Sequence, residues 1–249
     1  MFLNITNTIV AIGLSVISWT FPFLSNWKID QLLFSKKSPL NNEIRCYKAG
    51  NSGSTILLIG CIHGPEKNGI TTSIRVLNEL FAKKDLKNTL ICIPTVNPDG
   101  NINNTRTNSN KIDINRNFPA TNWKYQDSAK LKKDKKTYWG GKFPASEAET
   151  RLLMKLDSIY KPSAIIVLHQ FLNCVEYDGT GSKLAQFISS QTGQVLKEDI
   201  GYSTPGSLGS YFGGDFRREV VTIEIPKNPS DTLQNNLVKA LVDVVEKGY

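Results

Sequence analysis

The chain has 249 residues, of which 40% are hydrophobic and 21% are charged. This length and composition allow a full hydrophobic core, and with no internal repeat or low-complexity linker they predict a single folded domain. The formal net charge of +8 favours an anionic partner, but no helix-turn-helix or RNA-binding signature is present, so nucleic acid is not the expected one.

The N-terminal segment is apolar and carries no charged side chain before Lys28. Residues 9–25, IVAIGLSVISWTFPFLS, resemble a signal-peptide core or a marginal membrane anchor, although no Lys or Arg precedes them. A buried N-terminal helix of a cytoplasmic protein is the alternative interpretation. We expect residues 1–27 to lie outside the catalytic domain at 28–249, and the protein to act in the periplasm or cell envelope. If residues 9–25 are an anchor, they attach it to the membrane.

Short apolar runs alternate with helical patterns along the rest of the chain. The predicted strands are residues 55–62, 89–96, 163–169 and 219–225, and the predicted helices are 70–83, 147–160 and 231–246. The strand runs are almost continuously apolar, which is typical of strands covered on both faces. The pattern predicts an α/β fold, a single-domain mixed, mostly parallel sheet flanked by helices.

Polar side chains follow several of these strands at their carboxyl ends. The chain contains two histidines; His63 follows the first strand, with Glu66 three residues later, and His169 ends the third. Glu224 lies at the carboxyl end of the last strand. Because ligands bind at the carboxyl edge of such sheets, we expect these groups to meet in one functional site.

Two imidazoles and a carboxylate are a ligand set that suits one catalytic Zn²⁺, with a fourth position left for water. His63, Glu66 and His169 supply this set. Hydrolysis also needs a general base, for which Glu224 is the candidate. Taken alone, Glu224 is equally consistent with a surface ion pair at a strand end.

The segment at 97–119, NPDGNINNTRTNSNKIDINRNFP, is rich in Asn, Asp and Gly and is predicted to be a loop. It contains Arg106 and Arg116, whose planar guanidinium groups suit a substrate carboxylate or a developing oxyanion. Either arginine by itself is more often an ordinary surface residue.

The ordered set HGPE, NPDG, DINRNFP, a strand-end histidine and TIEIP, which spans residues 60–226, resembles the zinc metallocarboxypeptidases. The resemblance implies a metallocarboxypeptidase-like fold and a role for each of eight residues. It implies zinc ligands at His63, Glu66 and His169, a general base at Glu224, carbonyl polarisation by Arg106, carboxylate binding by Asn115 and Arg116, and orientation of a histidine by Asp113.

Two further segments, LHQFLNCVEYDG at 168–179 and STPGSLGSYFG at 203–213, look most like the bacterial murein peptide amidase branch of that family. This implies a peptidoglycan peptide as substrate, cleaved between γ-D-glutamate and meso-diaminopimelate. We expect Glu176 or Asp178 to meet the ammonium of the diaminopimelate side chain, unless YDG forms a turn. Tyr202 and Tyr211 are the candidates for the family's mobile tyrosine, with a packing role as the alternative for both, and Gln170 replaces its usual serine.

Two other functions fit parts of the pattern. A zinc-dependent deacylase of N-acyl amino acids has no need of the NR pair, whereas a non-catalytic protein that binds peptidoglycan peptides has no need of Glu224. NRNFP at 115–119, together with the complete set of zinc ligands and base, therefore favours the peptidase.

Overall fold

The computed structural model of the protein describes residues 32–127, 138–198 and 201–249, so the proposed leader at 1–27 lies outside the described residues. The described chain contains eight strands in one sheet. The strands are β1 (Leu32–Lys37), β2 (Glu43–Ala49), β3 (Thr55–Ile59), β4 (Thr89–Ile93), β5 (Ala164–Gln170), β6 (Cys174–Gly179), β7 (Val195–Lys197) and β8 (Glu219–Ile225). The α-helices are α1 (Lys67–Phe81), α2 (Pro98–Asn103), α3 (Ala148–Tyr160), α4 (Ser182–Thr192) and α5 (Asp231–Glu246). A 3₁₀ turn forms at Ile114–Arg116 and a π-helical turn at Gly209–Asp215.

The sheet has the strand order β1-β2-β4-β3-β5-β8-β6-β7. Its four central strands, β4, β3, β5 and β8, run parallel and correspond to the four that the sequence predicts. The pairs β1–β2, β2–β4 and β6–β8 are antiparallel, so the sheet is mixed, and the parallel arrangement predicted for it is confined to the centre and to the β6–β7 pair. The other four strands escaped prediction because they carry polar residues or, for β7, because the strand is very short.

Alternate residues of the central strands enter two separate cores, which explains their continuous apolar runs. On β5, Ile166 and Leu168 face the core under α1, α4 and α5. Ile165 and Val167 face the core under α3 and the π-helical turn. The four cysteines are all buried and form no disulfide. No helix among the described residues is long and apolar enough to cross a bilayer.

The first turn of α1 packs closely over the end of β3, and this contact sets the position of the turn that carries His63. A Cβ atom added to Gly69 would lie 1.6 Å from the carbonyl oxygen of Gly60, so only glycine fits there. The strands predicted at 55–62 and 89–96 end earlier than expected, at Ile59 and Ile93. The residues that follow them are largely buried.

Candidate metal centre and its cavity

Three predicted ligands meet at the carboxyl edge of the sheet. His63 and Glu66 lie on the turn after β3, and His169 lies near the end of β5. The Glu66 carboxylate lies between the imidazoles, with Oε1 2.8 Å from Nδ1 of His63 and Oε2 2.9 Å from Nδ1 of His169. The donor atoms of the three buried side chains all lie within 4.8 Å of one another.

This donor set fits zinc. Two imidazole nitrogens and one carboxylate converge, and zinc binds such atoms at about 2.0–2.2 Å. Burial opposes ionisation of Glu66, but the imidazoles of His63 and His169 lower its pKa to about 2, so it is ionised at neutral pH and could serve as an anionic ligand. The Nδ1 atoms that face Glu66 are therefore the ones available to a metal.

Asp113 connects the metal-binding residues to the arginine of the site. Its Oδ1 lies 3.1 Å from Nε2 of His63 and accepts the Asn115 amide at 2.9 Å, while its Oδ2 accepts Nε of Arg106 at 2.8 Å. Asp113 is fully buried; burial opposes its ionisation, but His63 and Arg106 hold its pKa well below the usual range. Its predicted contact with a histidine is present, and it orients Arg106 as well.

Glu224 reaches the same cavity from β8. Parallel pairing sets it directly beside His169, because both residues occupy the same level of neighbouring strands. Its side chain is 7% exposed and takes part in none of the ion pairs among the described residues, so the surface ion-pair interpretation is wrong. Its Oε2 accepts the Leu172 amide at 3.4 Å.

Asn115 and Arg116 lie on the 3₁₀ turn and line the cavity. The Asn115 Oδ1 accepts the Leu208 amide at 2.8 Å, and its Nδ2 lies 3.3 Å from Nε2 of His169. Arg116 donates through one terminal nitrogen to the Asn115 carbonyl at 2.7 Å, and its guanidinium lies 6.0 Å from the Tyr138 ring centroid. These contacts hold a cation in a largely buried position at the cavity wall.

The cavity has a volume of about 260 Å³ and is lined by seven of the eight residues to which the resemblance assigns a role. The eighth, Asp113, is not a lining residue and contacts the site through His63 and Arg106. Glu176 and Asp178 line the cavity from β6, the strand to which YDG belongs, so the interpretation of YDG as a turn is wrong.

Thr204, Ser207, Leu208 and Gly209 also line the cavity, together with hydrophobic Phe171 and Leu172. None of these residues was predicted individually to line the site. The only signal in the sequence that pointed to some of them was the resemblance of residues 203–213 to the family. Gln170 also lines the cavity, and its Oε1 accepts the Asn68 amide at 2.9 Å in the first turn of α1.

The two candidate tyrosines have different environments. Tyr202 lines the cavity and is 56% exposed, so it can approach a ligand. Burial and then the Glu224 carboxylate raise the pKa of Tyr202, which keeps its phenol protonated. Tyr211 instead packs against Phe212 and Phe118, with ring centroids 4.9 and 6.0 Å away, and is a packing residue.

A buried polar cluster supports the segment that carries Arg106 and Asp113. Asn108 donates from Nδ2 to Glu147 at 2.7 Å and lies 3.4 Å from both carboxylate oxygens of Glu149, next to the start of α3. Glu149 is fully buried, and this burial raises its pKa to about 7. The cluster ties the segment to α3 with a carboxyl group that resists ionisation.

We expect Glu149→Gln to stabilise the protein at high pH. The folded-state pKa near 7 exceeds the ordinary value of 4.5, so wild-type stability falls as pH rises from about 4.5 through 7. Glutamine removes this loss, and the variant should gain about 3 kcal/mol in free energy of unfolding at pH 8 relative to its effect at pH 4.5. Urea unfolding at both pH values measures the gain. Glu79→Gln, on the exposed face of α1, is the control, and an equal effect of Glu149→Gln at both pH values would contradict the prediction.

Comparison with known protein families gives a match to the model described as zinc carboxypeptidase over residues 26–200. Murein peptide amidase A of Escherichia coli (strain K12) is 32% identical over 203 residues, which are 79% of this chain and 81% of the relative. Murein peptide amidase A of Vibrio campbellii (strain ATCC BAA-1116) is 30% identical over 196 residues, 75% of each protein.

Solved structures show the same architecture. The crystal structure of murein-tripeptide amidase MpaA from Escherichia coli O157 superposes with a TM-score of 0.69 at 28% identity, covering 84% of this chain and 88% of that one. Carboxypeptidase A from Helicoverpa armigera has a TM-score of 0.67 at 14% identity, covering 93% of this chain and 68% of that one, a likeness of fold alone. The predicted metallocarboxypeptidase-like fold is confirmed.

Proposed function

Because the chain belongs to the zinc carboxypeptidase family and is therefore a metallopeptidase, we propose that it hydrolyses peptidoglycan-derived peptides between γ-D-glutamate and meso-diaminopimelate. The relatives named murein peptide amidase A support this substrate. The observation that carries the proposal is the convergence of a zinc ligand set, a buried carboxylate and two arginines on one cavity. One zinc ion per chain would be held by His63, Glu66 and His169.

Glu224 is the residue that would transfer the proton in this reaction. Zinc would polarise the scissile carbonyl and bring the pKa of its water to about 7. Glu224 accepts the proton of the attacking water and donates it to the leaving nitrogen. The long contact from the Leu172 amide, at 3.4 Å, leaves the carboxylate free to take that proton.

The two arginines have separate tasks. Asp113 occupies Nε of Arg106, so the two terminal nitrogens of that guanidinium donate to the carbonyl oxygen as negative charge develops on it. Arg116 and Asn115, which also line the cavity, bind the α-carboxylate of the diaminopimelate residue. With these roles, the scissile bond of the substrate would lie between Arg106 and Glu224. The free carboxylate would belong to the residue that follows this bond.

Release of free diaminopimelate from L-Ala-γ-D-Glu-meso-diaminopimelate tests the proposal. The purified protein, with its zinc content measured, should release it, as detected by mass spectrometry. A chelator should abolish the release and added zinc should restore it, because the ligand set holds the metal needed for hydrolysis.

Two other results would overturn the proposal. Turnover of N-acyl amino acids without cleavage of the tripeptide would indicate the deacylase. Zinc and tripeptide binding without turnover of either substrate class would indicate a binding protein.

A further inference from the structure

A second cavity, the amino-edge groove, is bounded by Leu32, Lys48, Ser52, Phe81 and Lys87 and has a volume of about 850 Å³. Its walls come from the start of β1, the end of β2, the turn before β3 and the chain between α1 and β4. The parallel strands β3 and β4 begin at this groove, whereas the metal ligands follow the ends of β3 and β5. The groove and the metal centre therefore lie at opposite edges of the sheet.

Part of the lining of the amino-edge groove is apolar. Leu80 and Leu86 are buried, whereas Leu32, Leu33 and Phe81 are half-buried and keep part of their surface exposed. Apolar side chains at such a position can enter the boundary between the headgroups and the acyl chains of a bilayer.

The same groove is lined by four lysines, Lys48, Lys83, Lys84 and Lys87. Lys83 donates to the carboxylate of Glu246 at 2.9 Å. Lys48, Lys84 and Lys87 take part in none of the ion pairs among the described residues. Asp85 and Glu246 are the only acids in the described lining, so the groove has a net positive charge. Positive charge beside partly exposed apolar side chains is the combination that binds anionic lipid surfaces.

The chain enters the described fold at this groove, because Leu32 both begins β1 and lines the groove. The apolar segment at 9–25 is separated from Leu32 by only six residues, which include Trp27 and Lys28. Six residues reach at most about 20 Å when fully extended, so a bilayer that holds residues 9–25 lies within that distance of the groove. Tryptophan and lysine are also typical of the membrane interface.

We propose that the amino-edge groove docks on an anionic phospholipid surface, with residues 9–25 as the anchor and the groove lysines on the lipid phosphates. The anchor segment has 17 residues, the lower limit for a spanning helix, so the groove supplies a second attachment. The metal centre, at the other edge of the sheet, then faces away from the bilayer and stays open to peptides. This inference does not depend on which bond the protein cleaves.

Amine labelling of the full chain tests this orientation. The protein is mixed with vesicles of phosphatidylcholine, alone or with phosphatidylglycerol, and the bound fraction is isolated by flotation. Lysines are then acetylated with a water-soluble reagent and located by mass spectrometry. On anionic vesicles we expect Lys84 and Lys87 to react about 5-fold more slowly than in the free protein, the factor for one lysine held at a lipid surface. Lys142 and Lys227, exposed beside the carboxyl edge, should react at the free rate.

Paired substitutions test the charge of the groove. The double variant Lys84→Gln/Lys87→Gln should bind anionic vesicles about 30-fold more weakly, because each lysine contributes about a factor of five. Its binding to phosphatidylcholine alone should not change. The matched control Lys142→Gln/Lys227→Gln removes the same charge away from the groove and should bind as the wild type does. Both variants should keep wild-type activity on peptides in solution, since none of the four lysines lines the catalytic cavity.

Three results would overturn the inference. Failure of the wild type to bind anionic vesicles would show that the groove is not a lipid-docking surface. Acetylation of Lys84 and Lys87 at the free rate in the vesicle-bound protein would show attachment without docking of the groove. An equal loss of anionic binding in both double variants would show that net charge, rather than this groove, attracts the lipid.

Discussion

Glu224→Gln lowers kcat for hydrolysis of the tripeptide by about 10²- to 10⁴-fold, which is the usual contribution of general acid–base catalysis. Glutamine has nearly the same shape, but it can neither accept the proton of the attacking water nor pass it to the leaving nitrogen. Glu224 is not among the three clustered metal ligands, so zinc content stays at the wild-type level. Steady-state kinetics and metal analysis of the same sample measure both effects.

The exposed variant Glu79→Gln, on α1, controls for the loss of one negative charge and retains full activity. Burial of Glu224 also makes a stability check necessary, so thermal unfolding of the zinc-loaded variant should match the wild type closely. Retention of more than about a tenth of wild-type kcat by the folded, zinc-bound variant would exclude Glu224 as the general base.

Asp113→Asn weakens zinc binding by about 10- to 100-fold, the range for loss of a residue that orients a metal ligand. Each oxygen of the Asp113 carboxylate faces donors, with Oδ1 near Nε2 of His63 and bonded to the Asn115 amide, and Oδ2 bonded to Nε of Arg106. An asparagine NH₂ group meets a donor in either orientation, so one of these contacts is lost. Turnover at saturating zinc also falls, because Arg106 loses its anionic partner. Competition with a metal chelator and kcat measured with excess zinc separate the two effects.

Asp99→Asn is the matched control, because Asp99 is also a buried carboxylate with several donors. Its oxygens accept hydrogen bonds from Ser38, Asn42 and Ser109, away from the metal ligands. The control variant should lose stability but keep its zinc affinity and its kcat with excess zinc. Equal zinc affinity of Asp113→Asn and wild type would show that Asp113 does not position His63.

The central part of the fold is readable from the sequence because its apolar runs report burial directly. Residues such as Ile165 and Ile166 enter cores on opposite faces, which leaves β5 without polar positions and makes it recognisable as a central strand. Strand β6 gives no such signal, because Glu176 and Asp178 face a polar cavity and interrupt the apolar pattern. Its pairing beside β8 depends on contacts between segments distant in the chain.

Part of the site is readable for the same reason. A polar residue that directly follows a buried strand marks the carboxyl edge of the sheet, and this placed His63, His169 and Glu224 together. Nothing local in the sequence indicates that Asp113 bridges His63 and Arg106, or that Tyr202 lies at the cavity and Tyr211 in a packed aromatic cluster.

The sequence by itself determined the central parallel strands, the edge at which chemistry takes place and the ligand set, because these follow from local hydrophobicity and from the scarcity of histidine. Only the tertiary structure decided that β6 is the strand paired with β8 on the side away from β5. This pairing determines which side chains form the far end of the cavity. That choice is set by hydrogen-bond register and close glycine packing between distant segments, which no local pattern encodes.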